Sequence, residues 1–171
     1  MKKMKSLLIA AVMFFGLSLT TATAQTKVAH IDVQALITEM PAMKSAEAEL
    51  KTLSEKYQKE YGTMVSEYQT KAQKYQNEAA TVGDKVNEDR QKEVEDLLQR
   101  IQQFQTTASQ DLQKKEVDLT QPIFEKARTA IQKVARAQGI QYVLDSSMGS
   151  GVLLADGTNL AADVKKELGI K

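Results

Sequence analysis

Between Ala42 and Gln138 apolar side chains recur every three or four residues, and this helical rhythm runs in two stretches separated by a polar, Gly-containing turn. In the first stretch the positions are Ala46, Leu50, Leu53, Tyr57, Tyr61, Met64, Tyr68, Ala72, Tyr75 and Ala79. They repeat at eleven residues, with Ala46, Tyr57, Tyr68 and Ala79 in one row, Leu50, Tyr61 and Ala72 in a second, and Leu53, Met64 and Tyr75 in a third. The second stretch keeps the period: Leu97, Ala108, Leu119 and Ala130 form one row, and Ile101, Leu112, Ile123 and Val134 another. Such a repeat averages ~3.67 residues per turn, so it predicts two nearly straight helices packed along matching seams rather than a heptad coiled coil.

The turn is expected at Thr81–Asn87. Gly83 stops the outward helix there, and Asn87 is expected to cap a returning helix whose Glu88 and Asp89 suit its positive end. Reflection about this turn sets Tyr75 near Lys92 and Ala46 near Pro122. At ~1.5 Å per residue the arm would extend on the order of 60 Å. Pro122 favours a kink where the arm should leave its base. Around and beyond it Val117, Phe124 and Ile131 form a second apolar face that calls for cover by a sheet or a neighbouring subunit.

Strand signals lie only at the two ends. Lys27–Val33 alternates like a half-buried strand, and Gln34–Glu39 reads as a short helical turn before Pro41. Gly139 closes the long helix, Ile140–Asp145 reads as a strand, Ser146–Ser150 as a turn, and Gly151–Ala155 as a third strand pairing back. Asp156-Gly157 reads as a tight turn, and Leu160, Val164 and Leu168 mark a last short helix. The fold class is therefore α+β and predominantly helical. A hairpin arm (42–122, tip 81–87) stands on a small β body made from 25–41 and 139–171, with the 123–138 helix packed on it. Three short strands with open edges make a poor core, so the body is expected to close by assembly. The packing set is Val28, Ile31, Val117, Phe124, Ile131, Val143, Leu144, Val152 and Leu153.

Residues 1–24 read as an export address: Lys2, Lys3 and Lys5, then an apolar stretch Leu7–Leu19, then Ala22-Thr23-Ala24 as a small-x-small cleavage pattern. Cleavage would leave Gln25 first. Without the three leader lysines, 20 cationic residues face 22 acidic ones, which argues against nucleic acid as a partner. The chain has no Cys and so no disulfides. His30 is the single histidine; a lone imidazole on a strand without an acid or Cys partner points to a structural role. No Gly-rich phosphate loop is present, and no catalytic residue, metal ligand or cofactor is assigned.

At both ends the residues resemble a known family. The first strand with the LITEMPAMKSAEAEL that follows, the QPIFEKARTAIQKVARAQGIQYVLD stretch and the closing GVLLADGTNLAADVKKELG are similar to the Skp/OmpH family of periplasmic chaperones. The resemblance implies a homotrimer in which a β body joins three subunits whose arms enclose a cavity, and ATP-independent holding of unfolded outer-membrane proteins. Members are often basic, whereas Ala42–Gln138 carries 16 Lys plus Arg against 16 Asp plus Glu. Contact with a membrane surface or lipid is left open by this balance. Client contacts on the arm would fall to Tyr57, Tyr61, Met64, Tyr68 and Tyr75, where the seam leaves ring edges or the thioether exposed. The alternative is a structural adaptor or spacer that docks its hairpin on another cell-envelope protein.

Overall fold

The computed structural model describes residues 26–170, so the export leader and its cleavage point lie outside the described residues. The elements are β1 (Val28–Ile31), α1 (Val33–Glu39), α2 (Pro41–Glu78), α3 (Asp84–Ala137), β2 (Tyr142–Asp145), β3 (Thr158–Asn159) and α4 (Ala161–Leu168). Asp32 caps α1, its carboxylate accepting from the Ala35 N–H at 2.8 Å. Pro41 opens α2 at a position where its missing N–H costs nothing, and it holds the preceding Met40 extended. The chain thus turns a fixed corner from the body into the arm, with the Met40 side chain buried there.

The hairpin pairs nearly as reflection predicts. Cross-helix contacts join Glu49 to Lys115, Tyr57 to Asp111, Tyr75 to Glu93 and Glu78 to Arg90. The tip differs from expectation. α3 begins one turn early, at Asp84 with Gly83 as its cap, and Asn87 lies inside it. The Asn87 amide instead donates to the Ala79 carbonyl at 3.0 Å, so it satisfies an orphan acceptor at the end of α2. Pro122 sits within α3, which runs unbroken to Ala137, at the level where Ala46 and Ile123 enter the body core.

That core lies between one face of the sheet and the helices: Ala29 and Ile31 of β1, Leu36 and Ile37 of α1, Ile123 to Ala135 of α3, Leu160 at the cap of α4 and Val164 within it. Ile31, Ile37, Leu160 and Val164 are fully enclosed. Gly139, in the left-handed region at φ 66°, ends α3 and lets Ile140 N–H reach back to Ala135.

The sheet has the order β2-β1-β3 and is parallel throughout, with Ala29 opposite Val143 and Thr158. The two chain ends do supply it, as expected. The third strand, however, is Thr158–Asn159 and not Gly151–Ala155. Leu160 decides this. Its side chain plugs the core and its N–H bonds the His30 carbonyl at 3.0 Å, which draws residues 158–159 onto the free edge of β1. Gly149 and Gly151 take positive φ, and Leu153 and Leu154 project into solvent. A parallel sheet ordinarily has both faces covered. Here helices cover only the face of Ala29, Ile31 and Val143, leaving Val28, Tyr142 and Leu144 open on the other.

Candidate binding surfaces

The seam tyrosines divide into two kinds. Tyr57 stacks edge-on to Phe104, with centroids 5.9 Å apart, and its hydroxyl donates to Asp111 at 2.7 Å. Tyr75 lies under the Arg90 guanidinium, 4.6 Å from ring centroid to Cζ, and donates to Glu93 at 2.6 Å. Both tie the two helices together. Tyr61, 39% exposed, and the half-buried Tyr68 have no hydroxyl partner among the described residues. With Met64, half-buried between them, they are the part of the expected client-contact set that the arm itself does not occupy. Sequence spacing placed all five on one seam but could not assign them carboxylate partners, which depend on cross-helix register.

Around Tyr75 the polar groups form one network. Glu93 accepts from both Lys71 and Tyr75, and these bonds hold its carboxyl below the usual glutamate range. The hydrogen bond to Glu93, then that to Glu67, pushes the Lys71 ammonium up. Bonding to Asp111 and to Glu93 raises the phenols of Tyr57 and Tyr75. Arg90 joins through Glu78 at 2.6 Å, while its Nη1 is buried without an acceptor among the described residues. The signs set a window. A depressed Glu93 stabilises the folded arm above the ordinary glutamate range, and that contribution is lost as pH falls through its lowered value. A raised Lys71 contributes below the ordinary lysine range and is lost as pH rises through its raised value. Absorbance titration is expected to show phenol ionisation above the ordinary tyrosine range that Tyr57→Phe and Tyr75→Phe each diminish; no such high-pH component, or one that neither substitution changes, would refute the assignment.

The rest of the arm surface is charge-balanced. Lys51–Glu55, Lys56–Glu60 and Lys85–Asp89 pair along their own helices, an arrangement worth little to stability. Ile101–Gln110 carries no charge at all, only apolar side chains with Gln, Thr and Ser.

The second surface is on the body. A groove of about 610 Å³ runs between α3 and β2, with Ile31, Phe124, Ile131, Ile140 and Val143 as its apolar lining and Glu125, Arg128, Arg136 and Asp145 among its polar ones. Phe124 is 45% exposed and Val117, farther up α3, 56%. Of the expected packing set, Ile31 is buried in the single chain and Ile131 and Val143 are partly covered; Val28, Val117, Phe124, Leu144 and Leu153 stand open, and Val152 is partly exposed. Tyr142, Met148 and Leu154 are further exposed apolar residues that the sequence reading missed. For Tyr142 the period-two alternation that puts Leu144 on the open face was the available signal. At the groove's end burial would raise the Asp145 carboxyl, but bonds from the Ser147 hydroxyl and N–H and from the Val33 N–H outweigh it and hold it low. This ties the end of β2 to the start of α1. His30 Nδ1 lies 3.1 Å from Ser146 Oγ, a strand-end contact. Among the described residues no group of His, Cys, Asp and Glu could hold a metal, and no helix is long and apolar enough to cross a membrane.

Comparison with known proteins agrees with this architecture. The family model described as outer membrane protein (OmpH-like) matches residues 27–168. No curated protein sequence matches significantly. Among solved structures, a candidate outer membrane chaperone (OmpH-like) from Caulobacter crescentus CB15 superposes with a TM-score of 0.74 at 18% identity, covering 85% of each chain. At that identity the likeness speaks for the fold.

Proposed function

Because the chain belongs to the OmpH-like outer membrane protein family, we propose that it is an ATP-independent holding chaperone for unfolded outer-membrane proteins. In this reading it works in the periplasm after removal of residues 1–24, as a homotrimer whose arms surround the client. The observation that carries the proposal is the pairing of a long, charge-balanced hairpin with a body whose sheet is covered on one face only. The arm offers exposed Gln, Thr and Lys with partly open Tyr61, Met64 and Tyr68, and the grooves along it are shallow. Such a surface suits many weak contacts, which let a client leave without nucleotide hydrolysis. The uncovered sheet face and the Phe124 groove suit burial by sister subunits, since monomers rarely leave large contiguous apolar patches open.

The test is dilution of a urea-denatured outer-membrane β-barrel protein into buffer with and without this protein. Light scattering is expected to be suppressed at near-stoichiometric ratios without ATP. Recovery of one folded envelope partner with no suppression of scattering would instead establish the spacer or adaptor role.

A further inference from the structure

We propose that the arm bends in its middle and is locked at its tip, so that it moves as a short rigid cap on a flexing shaft. A helical hairpin anchored at one end ordinarily loosens toward the free end. The distribution of contacts here runs the other way. Near the tip, Lys71, Tyr75 and Glu78 of α2 engage Glu93 and Arg90 of α3 through ion pairs, a phenol hydrogen bond and a cation–π contact. Nearer the base, Tyr57–Asp111 and Lys115–Glu49 hold the two helices. Between Tyr57 and Lys71, about 20 Å of helix, no hydrogen bond or ion pair crosses the seam among the described residues.

The same interval contains the arm's weakest helix residue. Gly62 lies inside α2, and a Cβ built on it meets nothing within 4 Å, so no close packing demands a glycine there. Opposite it Ile101–Gln110 has no charge with which to bridge the helices, and Phe104 and Met64 border an open groove of about 540 Å³. What crosses the seam here is apolar contact: the Tyr57 ring against Phe104 on the base side, and the buried Leu97 and Ile101 on the tipward side. Such contact is non-directional and tolerates rotation in a way that a two-point ion-pair network does not. The proposal concerns the arm alone and stands whether or not the protein holds clients.

Hydrogen exchange on the intact, assembled protein tests it. Amides in 58–66 and 102–110 are expected to exchange about tenfold faster than those in 71–78 and 90–97. Gly62→Ala is expected to slow the middle about fivefold and leave the tip unchanged. Glu93→Gln, which unpicks the tip network at constant side-chain size, is expected to raise tip exchange to at least the rate of the middle. Rates that climb steadily toward the turn, or that are flat along the arm, would overturn the proposal. So would a middle insensitive to Gly62→Ala or a tip insensitive to Glu93→Gln.

Discussion

Replacing residues 62–105 by the chain's own short turn, Ala79–Gly83, is expected to abolish holding of an unfolded barrel protein while leaving the body folded and assembled. Tyr61 and Thr106 lie at the same level of the hairpin, as the flanking Tyr57–Asp111 and Lys71–Glu93 contacts require, so the shortened arm keeps its seam. From the long helices the body core draws Met43, Ala46, Leu119 and Ile123 to Ala135, and all of these remain. What is lost is the distributed surface: Met64, Tyr68, the Ile101–Gln105 half of the uncharged stretch and the whole tip. If binding is a sum of weak contacts, the shortened protein should give no suppression of scattering even at about tenfold excess, whereas alanine at Tyr57, Tyr61, Met64, Tyr68 or Tyr75 should each change the required ratio by only about twofold. Full suppression by the shortened protein would end the arm-based mechanism. A single alanine that eliminates holding without unfolding the arm would replace it with a discrete site.

Phe124→Asp and Ile131→Asp are each expected to break the assembly, lowering the light-scattering mass of the mature protein to about one third. Both side chains border the groove between α3 and β2, and a sister subunit seated there would take the new carboxylate out of water beside Arg128, which already pairs with Glu125. Desolvating a carboxylate whose nearest cation is already engaged still costs roughly several kcal/mol per site, and the three sites of the proposed trimer would compound that penalty. Phe124 is the cleaner probe. It is half-exposed in the single chain, so the chain's own core does not need it, and helical circular dichroism should stay near the wild-type value. An unchanged mass for Phe124→Asp would show that this face is not an assembly surface.

Periodicity is a local property, and what it governs was readable residue by residue. The eleven-residue rows put Leu97, Ile101, Ile123 and Val134 inside, and all four are buried. The turn's position then carried the cross-helix register, because two helices joined by a few residues can pair in only one way along their seams. Caps were less legible. Asn87 and Gly83 both suit a helix start, and the choice went to Gly83 because the Asn87 amide could satisfy the Ala79 carbonyl across the turn.

The chain by itself determined a long helical hairpin, a sheet drawn from its two ends and a near-neutral arm, since spacing, breakers and charge count act through neighbours in sequence. Only the tertiary structure decided which segment became the third strand and which tyrosines were free. Gly151–Ala155 has the strand pattern, but Leu160 had to fill the core beside Ile31, and that long-range packing carried Thr158–Asn159 to the edge of β1. Tyr57 and Tyr75 look no different from Tyr61 and Tyr68 along the seam. They became staples because the fold brought Asp111 and Glu93, residues 54 and 18 positions away, within hydrogen-bond reach. Contacts of that kind are set by how two helices face each other, which no window of sequence contains.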